Sequence, residues 1–292
     1  MSVSVTAAAA ERKRLALLGV AVLLAVVLML SYRLATDAPT PPATQADLPD
    51  VGPVPEFDAI ADVEQMKQAF FDFLLPVIEA QNQWIEDNRY YLLDLRARMQ
   101  AQESPDRRDK AHLEALAERY RVELEDPPTI DDLDELLLRV DIVPPSLALA
   151  QAAAESGWGR SRFALEGNNL FGEWCFREGC GMMPARRRAG ARHEVTLFES
   201  VSDAVDSYFR NLNSHPAYGP MRALRAEARN DNGMVMGTDL VDGLEMYSER
   251  RGAYLEELRT MIRVNHLTRF DMAEAEGVLD SAAVTAPGAA RD

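Results

Sequence analysis

Glu155 stands where acid–base chemistry is most readily built. The stretch Ser146–Ser156 reads SLALAQAAAES. Leu147, Gln151 and Glu155 follow one another at four-residue steps, so on a helix they share one face. The positions between are mostly alanine (Ala148, Ala150, Ala152, Ala153, Ala154), which lets such a helix pack closely against its neighbours. Glu155 then falls in the last turn of a helix otherwise suited to burial. Partial desolvation and the negative end of the helix dipole both disfavour its ionised form. A carboxyl group that keeps its proton near neutral pH is what protonating a glycosidic oxygen requires. Ser156-Gly157-Trp158-Gly159 predicts a tight turn with an aromatic ring able to wall a site, and Asn168-Asn169-Leu170-Phe171-Gly172 adds amides suited to sugar hydroxyl and acetamido groups. The same residues admit a plainer reading, in which Glu155 is a helix-end carboxylate paired with Arg160 or Arg162.

The elements that must hold these residues are almost all helical. Met66, Phe70, Phe73, Leu74, Val77, Ile78, Trp84 and Ile85 recur largely at three- and four-residue intervals between Val63 and Tyr91, and Pro76 is expected to kink or divide that run. Leu92–Met99 and His112–Tyr120 continue the pattern across the polar break Glu103-Ser104-Pro105-Asp106. Ile130–Val140 opens on Asp131-Asp132, where negative charge suits a helix N-terminus. Pro144 and Pro145 fit the first turn of the helix carrying Glu155, whose N–H groups have no internal partner, and Gly157 and Gly159 end it. Val201–Leu212, Leu240–Tyr247 and Tyr254–Val264 are read as further helices. Cys175–Arg192, rich in Gly, Pro and Arg and without helical period, is read as an irregular or β-hairpin insertion. The expected fold class is therefore mainly α, with no internal repeat.

Ahead of this domain, Leu15–Tyr32 carries no charge and nearly spans a hydrocarbon core at helical rise. Glu11-Arg12-Lys13-Arg14 precedes it, which places the N-terminus inside and everything after Arg33 outside. An uncleaved anchor and a removed signal peptide compete here. The run is longer than a signal peptide's usual apolar region, and Thr36-Asp37-Ala38 is a poor cleavage match, so one transmembrane helix is expected. The chain is expected to divide into a cytoplasmic N-terminus (1–14), a transmembrane helix (15–34), a Pro-rich linker (35–56), a helical extension (57–140), the domain carrying Glu155 (141–267), which the resemblance described below implies is catalytic, and a largely disordered tail (268–292).

Composition narrows the function classes. The 292 residues are 47% hydrophobic, 27% charged and 7% aromatic, enough for a real core and unlike a collagen-like or wholly disordered chain. A net charge of −16 argues against nucleic-acid binding by general attraction. Two cysteines exclude a disulfide-rich scaffold and a four-cysteine zinc site. Cys175 and Cys180, in a domain expected outside the cytoplasm, are expected to form a local disulfide because that compartment is oxidising. One nearby histidine, His193, beside two thiols leaves a metal shell incomplete, so no metal is expected. His215 is expected to pack a turn, and His112 and His266 to be ordinary helix residues.

The segment AQAAAESGWGRSRFALEGNNLFG resembles the core motif of the bacterial endo-β-N-acetylglucosaminidase family of flagellar rod-cap hydrolases and cell-wall autolysins. RVDIVPPSLALAQAAAESGWG, WCFREGCG, HEVTLF, RNLNSHPAY and YSERRGAYLEELRTMIRVNHL are similar to the bacterial Bax group within it, and the likeness runs from about Phe70 to Leu267. This resemblance implies a lysozyme-like helical fold and a peptidoglycan hydrolase that cleaves the β-1,4 bond on the reducing side of N-acetylglucosamine. It places the catalytic acid on Glu155, a conserved tyrosine on Tyr254 with Tyr247 one helical distance upstream, and glycan-cleft residues on Asn168, Asn169, Leu170 and Phe171, beside Trp158. The autolysins place a second carboxylate in a β-hairpin lobe. Here Glu194 is the first candidate, Glu178 the second, and Glu173 lies just before; a 2-acetamido group can also supply its own nucleophile. A lytic transglycosylase and a non-catalytic glycan-binding or scaffold protein are the rivals. The implied partners are peptidoglycan strands and the inner membrane, with a periplasmic domain, no organic cofactor, no nucleic acid and no named protein partner. Arg186-Arg187-Arg188, with Arg192 behind, meets acidic stem peptides on this reading or is a solvated loop.

Overall fold

The structure, a computed structural model of the chain, describes residues 40–43, 46–184 and 193–272. The expected membrane span and its basic flank, the arginine cluster 186–192 and the tail from 273 lie outside the described residues. Among the described residues, no helix is long and apolar enough to cross a membrane.

Helix α1 (Val63–Gln100) is the longest element, and Asp62 caps it by accepting from the Gln65 amide at 2.9 Å. It runs unbroken through Pro76. Proline removes one backbone bond, but Leu74, Val77 and Ile78 around it are fully buried, and that packing holds the helix together. Helices α2 (Arg107–Tyr120) and α3 (Ile130–Arg139) each start in a capping box, Asp106 with Asp109 and Thr129 with Asp132. Helix α4 (Pro145–Ser156) is buried at every position from Pro145 to Ala153, and α5 (Arg162–Gly167) follows it closely. A three-stranded antiparallel sheet then interrupts the helices: β1 (Trp174–Cys175), β2 (Gly181–Met182) and β3 (Glu194–Thr196), in the order β1-β3-β2. Trp174 pairs with Val195 and Cys175 with Glu194 across β1 and β3. Helices α6 (Val201–Ser214), α7 (Gly219–Asn232), α8 (Gly237–Leu240) and α9 (Gly252–Val264) complete the fold. Where one helix was expected over Leu240–Tyr247, α8 ends at Leu240 and a 3₁₀ turn spans Val241–Leu244.

Three polar fixtures set where α4 begins and so where it ends. Asn82 of α1 clamps the Val143 backbone, donating to its carbonyl at 2.9 Å and accepting from its amide at 3.1 Å. Asp271 accepts from the Ser146 amide at 2.8 Å and the Ser146 hydroxyl at 2.6 Å, capping the helix from the far end of the chain. Asp141, just ahead of α4, is buried among Arg229 (2.6 Å), Arg89 (3.4 Å) and Arg225 (3.8 Å). Burial pushes the Asp141 carboxyl up, yet the three guanidiniums outweigh it and hold the group below its ordinary range. Helix α4 packs on α1, α8 and α9, and one apolar core runs from Val54 and Phe57 to Leu267, so residues 57–140 share their core with 141–267.

Both flanks are tied down further than their composition indicates. In the Pro-rich segment, Leu48 and Val51 pack on the core and Val54 joins it, Trp84 donates to the Ala43 carbonyl at 2.7 Å, and Ser202 donates to the Pro49 carbonyl at 2.6 Å. At the other end Leu267 is fully buried and Asp271 nearly so, and the chain is helical at 268–272. The segments expected as linker and tail are therefore shorter on the sides that meet the domain.

Candidate active site

The carboxyl of Glu155 leaves the last turn of α4 half-buried, directly above the backbone of Gly172. A β-carbon at Gly172 would lie 3.1 Å from Oε2 of Glu155, and the backbone there has φ +68°, so a glycine suits both the close approach and the left-handed turn. Burial pushes the Glu155 carboxyl above its ordinary value; the Tyr254 hydroxyl, as a hydrogen-bond partner, and Arg250 pull it back, while Glu257 pushes it further. The plainer reading, a pair with Arg160 or Arg162, is not what forms. Arg160 reaches the Gly157 carbonyl at 2.8 Å and Asp58 at 3.4 Å, and Arg162 reaches the Met183 carbonyl at 3.0 Å.

Tyr254, in the first turn of α9, is fully buried, and burial followed by the nearby Glu155 charge drives its hydroxyl well above the ordinary tyrosine value. Its oxygen accepts from Nε2 of Gln151 at 3.0 Å, and Oε1 of Gln151 accepts from the Tyr208 hydroxyl at 2.7 Å. Tyr247 lies parallel to Tyr254 with ring centroids 5.7 Å apart and donates to the Phe171 carbonyl at 2.9 Å. The Arg250 guanidinium lies 5.5 Å from the centroid of the Tyr254 ring and pairs with Glu257 at 2.5 Å. Thus Glu155, Tyr254 and Tyr247 come together from α4, α9 and the turn before α9.

The remaining expected site residues serve the scaffold. Asn168, at φ +52° past the end of α5, donates its amide to the carbonyls of Phe198 (3.1 Å) and Glu199 (3.3 Å). Asn169 is buried and brackets the sheet: it donates to the carbonyls of Glu173 (2.9 Å) and Thr196 (3.0 Å) and accepts from the Glu173 amide (3.0 Å). Phe171 is buried and stacks on Tyr208 at 3.9 Å. Trp158 packs its ring against Phe70 and Phe71 of α1. Amides and rings expected to meet sugar are in these cases bonded or packed within the chain.

The three candidate second carboxylates have different surroundings. Glu194 is buried in β3, and its oxygens accept from the amides of Gly179 (3.2 Å) and Gly181 (2.8 Å), so it supports the turn that the Cys175–Cys180 disulfide closes. Those two sulfurs and Glu194 lie close enough to hold an ion, but sulfurs bonded to each other offer no thiolate ligand. Glu178 is exposed. Glu173 accepts from the Ser207 hydroxyl at 2.9 Å through Oε2, while its Oε1 is buried with no hydrogen-bond partner among the described residues. Burial drives the Glu173 carboxyl up to about 7, against the opposing pull of the Ser207 hydroxyl and of Arg210. The carboxyl placed last by sequence thus gives up its proton only near neutrality. Gln151 was visible only as a face-mate of Glu155, and nothing in the sequence near Tyr208 pointed to the site.

The body is helical and brings a half-buried helix-end glutamate beside a buried tyrosine. The glucosaminidase family profile, described as mannosyl-glycoprotein endo-beta-N-acetylglucosaminidase, matches residues 131–267. The chain is 36% identical over 199 residues to Protein bax of Escherichia coli (strain K12), covering 68% of this chain and 69% of that protein. It belongs to the glucosaminidase family, in a Bax-like branch. No solved structure matches it.

Proposed function

We propose that this protein is a peptidoglycan hydrolase, anchored in the bacterial inner membrane by its N-terminal segment, which cleaves the β-1,4 bond on the reducing side of N-acetylglucosamine. The observation that carries the reading is the Glu155 carboxyl, raised by burial and seated between the Tyr254 hydroxyl and the Gly172 backbone. Glu155 gives its proton to the glycosidic oxygen as the bond to C1 breaks, and the departing sugar leaves as an alcohol. The positive charge left on the N-acetylglucosamine ring is met by the carbonyl oxygen of its own 2-acetamido group, with the Tyr254 hydroxyl dipole nearby. Water then adds to C1 and returns a proton to Glu155, which restores the acid. No metal or organic cofactor takes part in this scheme.

The test uses purified sacculi and the full chain in detergent. The wild type is expected to release soluble muropeptides with N-acetylglucosamine at the reducing end, and Glu155→Gln to lose at least about 100-fold in rate with an unchanged circular dichroism spectrum. Products lighter by one water with an anhydro-muramic end would instead establish a lytic transglycosylase. Binding to sacculi with no solubilisation from pH 4 to 8 would establish a glycan-binding protein, and an active Gln variant would remove Glu155 from the role.

A further inference from the structure

We propose that Trp174 is a sugar-stacking platform: its indole receives the apolar face of an N-acetylated pyranose in the glycan strand, beside the bond that Glu155 protonates. The proposal rests on the glycan reading of the site and adds to it a residue that grips the strand next to the acid. Of the three tryptophans, Trp84 is buried and donates to the Ala43 carbonyl, and Trp158 packs against Phe70 and Phe71. Trp174 instead stands 51% exposed on β1, so burial does not account for a ring of that size there.

Four consecutive residues set its place relative to the acid. The Phe171 carbonyl accepts from Tyr247, the Gly172 backbone lies against the Glu155 carboxyl, Glu173 reaches inward to Ser207 of α6, and Trp174 turns outward. Two residues of chain span at most about 7 Å, so the indole is rooted beside the seat of the acid. Asn169 holds this run through the Glu173 amide and carbonyl, and the Cys175–Cys180 disulfide begins at the next residue. Trp174 pairs with Val195, which makes His193 its diagonal neighbour on the same face of the sheet. The imidazole lies flat on the indole, with ring centroids 4.0 Å apart and planes 10° from parallel. One face of the indole is thereby backed and its direction fixed, while half of the side chain stays open. A β-linked pyranose carries its hydroxyls around the rim and C–H bonds on its faces, so a flat indole in water matches such a face. A ring already held in place also loses little entropy when the sugar arrives. Continuity with the Glu155 seat favours a glycan over a protein partner as the occupant.

The test uses the full chain in a sugar-free detergent, carrying Glu155→Gln so that nothing is cleaved, with peptide-free peptidoglycan glycan strands as the probe. Bound strands are expected to shift the tryptophan emission to the blue and protect it from acrylamide quenching. Both changes should vanish in Trp174→Phe, which leaves Trp84 and Trp158 as the emitters. Trp174→Ala is expected to weaken strand binding about tenfold, and Trp174→Phe, which keeps a smaller ring, by less. With Glu155 restored, Trp174→Ala should raise KM with kcat little changed, which a ring serving only the stability of the sheet would not do. If Trp174→Ala does not fold, Trp174→Phe and the quenching of the intact indole decide the matter. The proposal would be overturned by a folded Trp174→Ala protein that binds strands as tightly as its parent, by bound strands that leave the Trp174 emission unchanged, or by a parent that binds no strands. Binding needs no turnover, so the two readings fail separately. Trp174-dependent binding by a chain whose wild type releases nothing would sink the hydrolase reading and leave the platform. An active hydrolase indifferent to Trp174→Ala would do the reverse.

Discussion

Replacing Glu173 with glutamine is expected to remove a pH dependence of stability that the fold imposes on one carboxyl. In the folded chain this group titrates at about 7, against an ordinary value of 4.5. Between those two values the folded protein holds a proton that the unfolded chain has released. Stability therefore falls as pH rises through that window and is flat on either side of it. The raised value corresponds to roughly 3 kcal/mol of stability lost between pH 4 and pH 8. Glutamine has no charge to desolvate. The difference in unfolding free energy, variant minus wild type, should therefore climb by about 2–3 kcal/mol over the same range. Its offset at low pH is separate, set by how an amide N–H fares at the partnerless Oε1 position. Glu155, Asp271 and Glu86, also raised by burial, tilt both proteins alike and cancel in the difference. Urea unfolding followed by circular dichroism at half-unit pH steps measures it. Stability curves that stay parallel from pH 4 to 8 would refute the claim that burial makes the folded chain hold the Glu173 proton.

Two further substitutions test the geometry. Gly172→Ala places a methyl group 3.1 Å from Oε2 of Glu155 at φ +68°, so it should cost about 1–2 kcal/mol, a few degrees in Tm, and displace the carboxyl enough to slow muropeptide release about tenfold or more. Wild-type turnover at a lowered Tm would show that the carboxyl's seat does not matter. Asp141→Asn takes the counter-charge from Arg225, 1% exposed, and one acidic partner from Arg89 and Arg229, and should destabilise by about 3–5 kcal/mol in urea unfolding. A loss under about 1 kcal/mol would mean that the carbonyls accepting from Arg225 are sufficient by themselves.

What the sequence settled on its own was local. The four-residue steps Leu147, Gln151, Glu155 and the run of alanines placed a carboxyl at the end of a buried helix, and helical period with polar breaks placed α1, α3, α4, α6 and α9. The spacing of Cys175 and Cys180 in an expected extracytoplasmic domain led to the disulfide. Helix α7 escaped because its buried side is made by Arg222 and Arg225 as well as Met221. Arginine at a core position reads as polar until its acceptors are known, and those of Arg225 include the carbonyls of Asp141 and Ile142, more than 80 residues away. The same reason hid the backbone bonds of Asn168 and Asn169: an amide suits a sugar and a backbone equally, and only the folded sheet shows which carbonyls their nitrogens reach. Gln151 and Tyr254 are 103 residues apart, Ser146 and Asp271 are 125 apart, and Glu173 is raised by burial that no window of sequence contains. Periodicity reports which face a residue takes on its own element. Which partner desolvates it, bonds it or holds its proton is decided by distant chain that only tertiary packing brings within reach.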